Sequence, residues 1–562
     1  MKRISIVLAI VMAFAGASVS YGGQFPENNN DRPMNTLESV RLAINDMISQ
    51  FGDDYADGEA YLEELDALEA ETNKDADWEK RFAEFRHKAL LANPELDDLE
   101  IVCVRTNRLP GVGDNFMTTD KIPKDGWDAE LGILSDLRSG NPKFTTIYKP
   151  ENRRPILKPE LHWDGERILF TSISEENKRW AIFEINVDGT GLKTISPTDQ
   201  PDVDFFDACY TPEGKVVAGS NAGKQGLPCI NGSDPMANLY LIDPETKNVR
   251  QLTFEQDSDW DPTPLKNGRI MYLRWEYSDI MHYYSRILFH MNPDGTNQSE
   301  LYGSGSFFPT AFRHSREFPD SSKIVGIGSG HHGRGDAGRL LILDPTIARK
   351  YPFKYNATTR EWGPEGTQFD ARTEVFPMEE TGFVCEIPGH GKPVVGNVLD
   401  MQSTGLKYNF VFPYPLCENY ILVNCEIEGD WGTYGLYLVD TFDNMTPIAV
   451  VKGQGYFVPT PLVERDLPPV LPNRVEEGSK EATVFITDVY NGLGTAGVPR
   501  GEIAGLKIFQ YHFAYLATGG HESVGVQSSW DIKRLLGYVP VEEDGSAFFK
   551  IPANTPVAIL PV

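Results

Sequence analysis

Six times through the middle of this 562-residue chain, a short apolar run ends in an Asp or Asn. The runs are Leu131-Gly132-Ile133-Leu134-Ser135-Asp136, Phe183-Glu184-Ile185-Asn186, Leu239-Tyr240-Leu241-Ile242-Asp243, Leu288-Phe289-His290-Met291-Asn292, Leu341-Ile342-Leu343-Asp344 and Leu436-Tyr437-Leu438-Val439-Asp440. Successive turns lie 50, 57, 49, 52 and 96 residues apart, so the last interval is either a divergent repeat or one carrying an insertion. A polar turn also precedes an earlier strand in four units: Asp164-Gly165, Glu213-Gly214, Asn267-Gly268 and Asp320-Ser321. Each unit therefore reads as a meander of short strands, bounded by turn chemistry. Such a sheet cannot cover its own faces. Stacking several copies radially does cover them and leaves only short edges, which predicts a β-propeller. Six blades over residues 99–460 is the expected count, and the long interval also admits seven.

The rest of the chain divides around that repeat. From Leu37 to Leu96 apolar residues return at helical spacing, as in Val40, Ile44, Met47 and Ile48, which predicts a small α-helical N-terminal region over residues 34–98. Its polar faces are rich in Asp and Glu. A Pro-rich stretch from Pro459 to Pro472 reads as the exit from the propeller, with a linker over 461–479. Strand-like runs at Thr483–486, Leu506–509 and Ala547–551 then predict a short β-rich C-terminal region over 480–562, possible as an incomplete unit. With 51 glycines and 39 prolines the chain is punctuated too often for a long-helix protein, so mostly β is expected.

Charge and leader chemistry bear on location. Lys and Arg number 52 against 81 for Asp and Glu, a net charge of -29 that repels phosphate backbones, so no nucleic-acid partner is expected. Met1-Lys2-Arg3, an apolar run from Ile4 to Ala15 and small residues ending at Ser20 have the layout of a secretory signal peptide over residues 1–20. No later stretch is long and apolar enough to span a bilayer, so the mature chain is expected in the periplasm or secreted, without a transmembrane segment.

The chemistry-bearing residues are few. No G-x-S-x-G elbow occurs, which argues against a fused serine hydrolase. Gly328-Ser329-Gly330-His331-His332-Gly333 matches G-x-G-x-x-G, but a strand follows where a dinucleotide site needs a helix N-terminus. Within it, His331 and His332 are candidate metal ligands, imidazole being the commonest transition-metal ligand, and hydrogen-bonded loop histidines are the other reading. Asp202-x-Asp204 and Asp257-x-Asp259-x-Asp261 begin 55 residues apart, at apparently equivalent blade positions. They lack the Gly and distal Glu of an EF-hand, so strand-entry hydrogen bonding fits them better than calcium. Near the C-terminus Tyr511, His512, His521 and Glu522 are candidate catalytic groups, as acids, bases or ligands beside the flexible Gly519-Gly520 pair, with aromatic packing as the alternative. Six cysteines (Cys103, Cys209, Cys229, Cys385, Cys417, Cys425) include no C-x-x-C pair, which leaves disulfides or buried thiols.

A further set of motifs resembles proteins related to the alpha subunit of hydrazine synthase. They are the Lys88-to-Pro94 segment, Asp259-Trp260-Asp261-Pro262, Arg274-Trp275-Glu276-Tyr277, the Met291-to-Asn297 turn and His331-His332-Gly333. Above all they are the Asp488-to-Gly494 and Gly497-to-Arg500 runs, Val541 to Gly545, and Pro552-Ala553-Asn554. The resemblance implies an exported protein with a helical N-terminal part, a six-bladed propeller and a haem-bearing C-terminal part, where c-type haems combine nitric oxide and ammonia. Cytochrome-like relatives carry C-x-x-C-H after the Pro-Ala-Asn-type segment, and this sequence has none. A covalent c-type haem is therefore not expected on this polypeptide, and the synthase reaction does not carry over. The expectation is a periplasmic redox-associated protein, with a cytochrome or other periplasmic partner and a metal ion as its candidate associates. The alternative is a non-catalytic, TolB-like propeller that binds a ligand or protein.

Overall fold

The computed structural model describes residues 33–111, 119–277, 286–303, 309, 311–331, 336–346, 354–356, 361–363, 383–389, 403–494, 497–513, 515–517 and 532–562. Residues 1–20, the expected leader, lie outside them. Among the described residues the strands of the middle region form six four-stranded antiparallel meanders, so the fold is a mostly β propeller with a small helical region before it.

All six sequence turns close the third strand of a blade. These strands are Glu130–Ser135, Trp180–Asn186, Asn238–Ile242, Arg286–Met291, Arg339–Asp344 and Tyr434–Asp440. The Asp side chains build the turns: Asp243 Oδ1 accepts the N–H groups of Glu245 and Thr246 at 3.1 and 3.0 Å. Asp440 Oδ1 does the same for Phe442 and Asn444. The 96-residue interval is one blade with an insertion. In blade 5 the fourth strand, Phe383–Ile387, pairs with Arg339–Asp344 across residues 345–382, so no blade is skipped.

The ring closes on itself. Gly455–Pro461, late in the chain, pairs antiparallel with Ile101–Thr106 and becomes the innermost strand of blade 1. This corrects the reading of the Pro-rich stretch as linker from its first residue, because Pro459 and Pro461 belong to the closing strand. Proline is tolerated there because an innermost strand has one side without a ladder partner. The linker proper then crosses the blade hairpins. Arg465 N–H donates to the Trp163 carbonyl at 2.8 Å, and Arg474 N–H donates to Asp294 Oδ2 at 2.7 Å. Gly268, at φ +82°, lets the Pro469 carbonyl approach so closely that a Cβ would collide with it. We expect Gly268→Ala to detach this crossing, with a loss of about 1–3 kcal/mol in urea unfolding; an unchanged midpoint would show that the linker is not held there.

Three helices, α1 (Leu37–Phe51), α2 (Gly58–Ala70) and α3 (Ala76–Leu91), cap the ring at blades 6 and 1. Thr36 and Asp75 start α1 and α3 by accepting backbone N–H groups in their first turns. Val40, Ala43, Ile44 and Met47 bury one face of α1 in a core shared with Leu134, Tyr420, Leu422 and Leu438. Polar bonds fix the seat: Tyr420 Oη donates to Asp46 at 2.8 Å, and Asn444 Nδ2 donates to the Ser39 carbonyl at 2.8 Å.

Beyond the linker, Glu481–Ile486 pairs with Ala547–Pro552, and Gly505–His512 lies between Ile532–Pro540 and Val557–Pro561. The two sheets enclose Tyr490, Leu506, Ile508 and Phe549. The Asp488-to-Gly494 and Gly497-to-Arg500 runs of the family resemblance hold the unit together. Asp488 caps the Tyr490 N–H and pairs with Arg500, and Tyr490 Oη accepts the Gly501 and Ile503 N–H groups at 2.8 and 2.9 Å. The unit touches blade 3 through backbone bonds from Leu516 to Lys224 and from Ala517 to Gly232.

Candidate functional site

Each innermost strand is bulged, and at each bulge one non-glycine residue adopts a positive φ. They are Lys158 (39°), Asp207 (49°), Asp261 (58°), His314 (53°), Phe412 (51°) and Val458 (57°), one from each of blades 2 to 6 and the last from the closing strand of blade 1. The ladder register shifts at every one of these positions. Left-handed backbone is uncommon for any side chain and an outlier for valine, so its sixfold recurrence marks a geometry the inner strands impose. Four of the six residues precede a proline (Pro159, Pro262, Pro413, Pro459), which has no N–H to leave unpaired at the bulge. All six line one cavity of about 30 Å³ where the inner strands converge.

Four members of this ring are polar and adjacent. Lys158 Nζ lies 3.3 Å from Asp207 Oδ2 and also pairs with Asp261 Oδ1. The His314 backbone N–H donates to Asp261 Oδ2 at 2.5 Å, and His314 Nδ1 lies 3.9 Å from the same oxygen. Burial works against the Lys158 ammonium, yet the two carboxylates outweigh it and hold the group above the usual lysine range. Asp261 is held below the ordinary carboxylate range: burial opposes this, but Lys158 and His314 prevail. Asp207 shares the same ammonium without a backbone donor at its other oxygen, and burial lifts it. One layer away, Arg316 donates to Glu160 at 2.8 Å and lies 5.2 Å over the Tyr414 ring. Two layers of ion pairs thus cross the centre of the propeller. A fully protonated, doubly paired lysine has no free electron pair, so Lys158 serves as an internal counter-ion and not as a nucleophile.

Burial pushes the His314 imidazole down to about 3, with Asp261 only partly restoring it. The folded state therefore holds His314 neutral, while the unfolded chain takes up a proton below the ordinary value of 6.5. Stability from this residue is complete above pH 6.5 and is lost as pH falls from there towards 3, at up to about 1.4 kcal/mol per pH unit. Asp207, being lifted, acts in the opposite sense, so the residue's own share is read by difference. Urea unfolding of the wild type should weaken more steeply between pH 6.5 and 4.5 than that of His314→Phe, and parallel profiles would contradict a buried neutral imidazole.

Of the residues singled out from the sequence, only Asp261, from the acidic cluster weighed against calcium, lies in this ring; among the described residues none of the candidate catalytic residues or histidine ligands is placed there. His331 is buried at 1% exposure, its Nδ1 against the Arg286 guanidinium and its ring 5.5 Å from Trp275. A guanidinium is the wrong neighbour for a metal ion, and Arg286 itself lies 4.1 Å over Trp275. Tyr511 and His512 are consecutive on strand Gly505–His512 and so project to opposite faces. Tyr511 stacks on Phe513 at 6.0 Å with Lys533 Nζ 5.1 Å above it, and His512 is exposed. His332, His521 and Glu522 lie outside the described residues. The acidic pairs are used in strand-entry bonding: Asp204 accepts the Trp180 N–H at 3.1 Å and Thr119 Oγ1 at 3.0 Å, while Asp259 holds Arg274 at 2.9 Å. They are not equivalent. Aligned on Asp207 and Asp261, Asp204 falls opposite Ser258, whose Oγ accepts the Ala237 N–H as Asp204 accepts that of Trp180. A one-residue offset changes the face of a strand.

Residues 501–562 match the family described as the hydrazine synthase alpha subunit middle domain. Over 84% of its length the chain also superposes on a chain of hydrazine synthase from Kuenenia stuttgartiensis, with a TM-score of 0.59 at 15% identity. The chain resembles the alpha subunit of hydrazine synthase. It spans 66% of the length of that Kuenenia chain. TolB from Acinetobacter baumannii aligns over 67% of this chain and 72% of its own, with a TM-score of 0.33 at 13% identity. A TolB-type protein from Agrobacterium tumefaciens aligns over 44% and 85%, with a TM-score of 0.29 at 13% identity. No curated protein matches the sequence.

The hydrazine synthase likeness raises the question of a covalently held haem, and the cysteines do not fit one. All six lie between Cys103 and Cys425, within the propeller, and none in the C-terminal unit. Five are buried and Cys229 is half-buried, and no two stand three residues apart as vinyl attachment requires.

Proposed function

We propose that this chain is an exported docking subunit of a periplasmic redox assembly that carries no covalent haem of its own. The observation that carries the reading is the likeness to hydrazine synthase across propeller and C-terminal unit together, in a sequence without C-x-x-C-H. The basic, apolar N-terminus supports export. The outer face of the C-terminal sheet supports docking. A bulge in the register of Ile532–Pro540 sets Leu535 and Tyr538 on the same face, with Leu560 opposite Lys507, at 55%, 54% and 51% exposure. Large side chains grouped this way on a surface mark contact sites.

Two measurements test this. The purified mature protein should show no Soret band, and its own band should not stain for haem after denaturation; a stained band would end the reading. Captured from its own periplasm, the tagged protein should bring down a haem-staining partner, and Leu535→Asp with Leu560→Asp should cut the yield at least about tenfold. A second reading is a propeller that binds a ligand or protein without redox chemistry, and a sequence without any C-x-x-C-H is equally consistent with it. A stable partner free of haem in the same capture would select it.

A further inference from the structure

The axial cavity is polar on one side and apolar on the other. Phe412 and Val458 with the adjacent prolines form the apolar wall, and Asp207 and His314 form the polar one. Asp207 and His314 are 2% and 6% exposed. Asp207 Oδ1 makes no hydrogen bond within the protein, and the His314 ring has only longer approaches, Nδ1 at 3.9 Å from Asp261 Oδ2 and the imidazole beside the Asp336 backbone. Asp207 and His314 thus line the same small space with polar atoms short of partners, and buried polar groups are almost always hydrogen-bonded.

We propose that this cavity is a built hydration site, holding one or two ordered water molecules that bridge Asp207 Oδ1 to a His314 ring nitrogen. Its size agrees, since a buried water needs about 10–15 Å³ of such space. The donor pattern agrees as well. A carboxylate oxygen only accepts, and a neutral imidazole accepts at one nitrogen and donates at the other, so the occupant must donate to Asp207 and can either donate to or accept from the ring, as water does. A metal ion does not fit, because the Lys158 ammonium already occupies the place between the two carboxylates. A purely apolar occupant would leave Asp207 Oδ1 unsatisfied. Bridged in this way, Lys158, Asp207, His314 and Asp261 form one continuous circuit across blades 2 to 5. This inference does not rest on the docking reading.

A crystal structure of the full chain at a resolution that shows solvent is the direct test. The expected result is at least one density peak within 3.2 Å, an ordinary hydrogen-bond reach, of both Asp207 Oδ1 and a His314 ring nitrogen. A dry cavity, or direct contact between the two side chains, overturns the proposal. Water-proton relaxation dispersion gives a second readout on the wild type and on His314→Phe, which keeps a ring in place. The long-residence water signal should fall in the variant, and equal signals would count against the site.

Discussion

Replacing Lys158 with Met should cost the propeller about 3–5 kcal/mol, because it leaves Asp207 and Asp261 facing each other across a buried space with no cation between them. Removing one partner of a buried ion pair is far more damaging than removing the pair. The informative comparison is therefore Lys158→Met combined with Asp207→Asn and Asp261→Asn, which should recover much of the loss. Urea unfolding followed by tryptophan fluorescence measures both. If the single variant loses less than about 1 kcal/mol, the ring is hydrated enough to screen its charges, and its role in joining the blades fails.

The second large effect is expected at the closing strand. Replacing Gly455–Pro461 by a Gly-Ser sequence removes the ladder to Ile101–Thr106 and the buried Phe457, and exposes the inner edge of blade 1. Large-to-small loss of one buried aromatic alone costs about 3–5 kcal/mol, and here a whole strand goes with it. The variant should lose cooperative unfolding, bind a hydrophobic dye and aggregate. A single sharp transition near the wild-type midpoint would mean that the ring holds without its closure.

Much of this architecture could be read in advance because turns are local. An Asp or Asn that caps the third strand writes its hydrogen bonds into the next few residues, so Asp243, Asn292 and Asp344 announced their blades without any distant contact. The ring closure was not visible in the same way. Nothing in Gly455–Pro461 says which strand it joins, and its prolines, a breaker signal in most strands, pointed to a linker. The axial site was missed as a unit for a related reason, although Asp261 stood out within an acidic cluster. Lys158, Asp207, Asp261 and His314 are dissimilar residues, and what unites them is a backbone position. A faint signal did exist, since Pro159, Pro262, Pro413 and Pro459 fall at the same point of four repeats. Residue chemistry alone drew attention instead to His331 and Tyr511, which the fold uses beside Arg286 and Phe513.

The late position of the strand that completes blade 1 also sets the order in which the molecule can be assembled. A polypeptide delivered from its N-terminus presents Ile101–Thr106 with a bare edge until Gly455 has emerged. Over that interval nearly every other blade can form, yet the first remains open to mispairing with any strand at hand. Acquisition of the native state therefore waits on one of the longest-range pairings in the chain, and such pairings are slow to form. A guardian that shields a nascent sheet edge would act on this protein at its beginning, and for longest there.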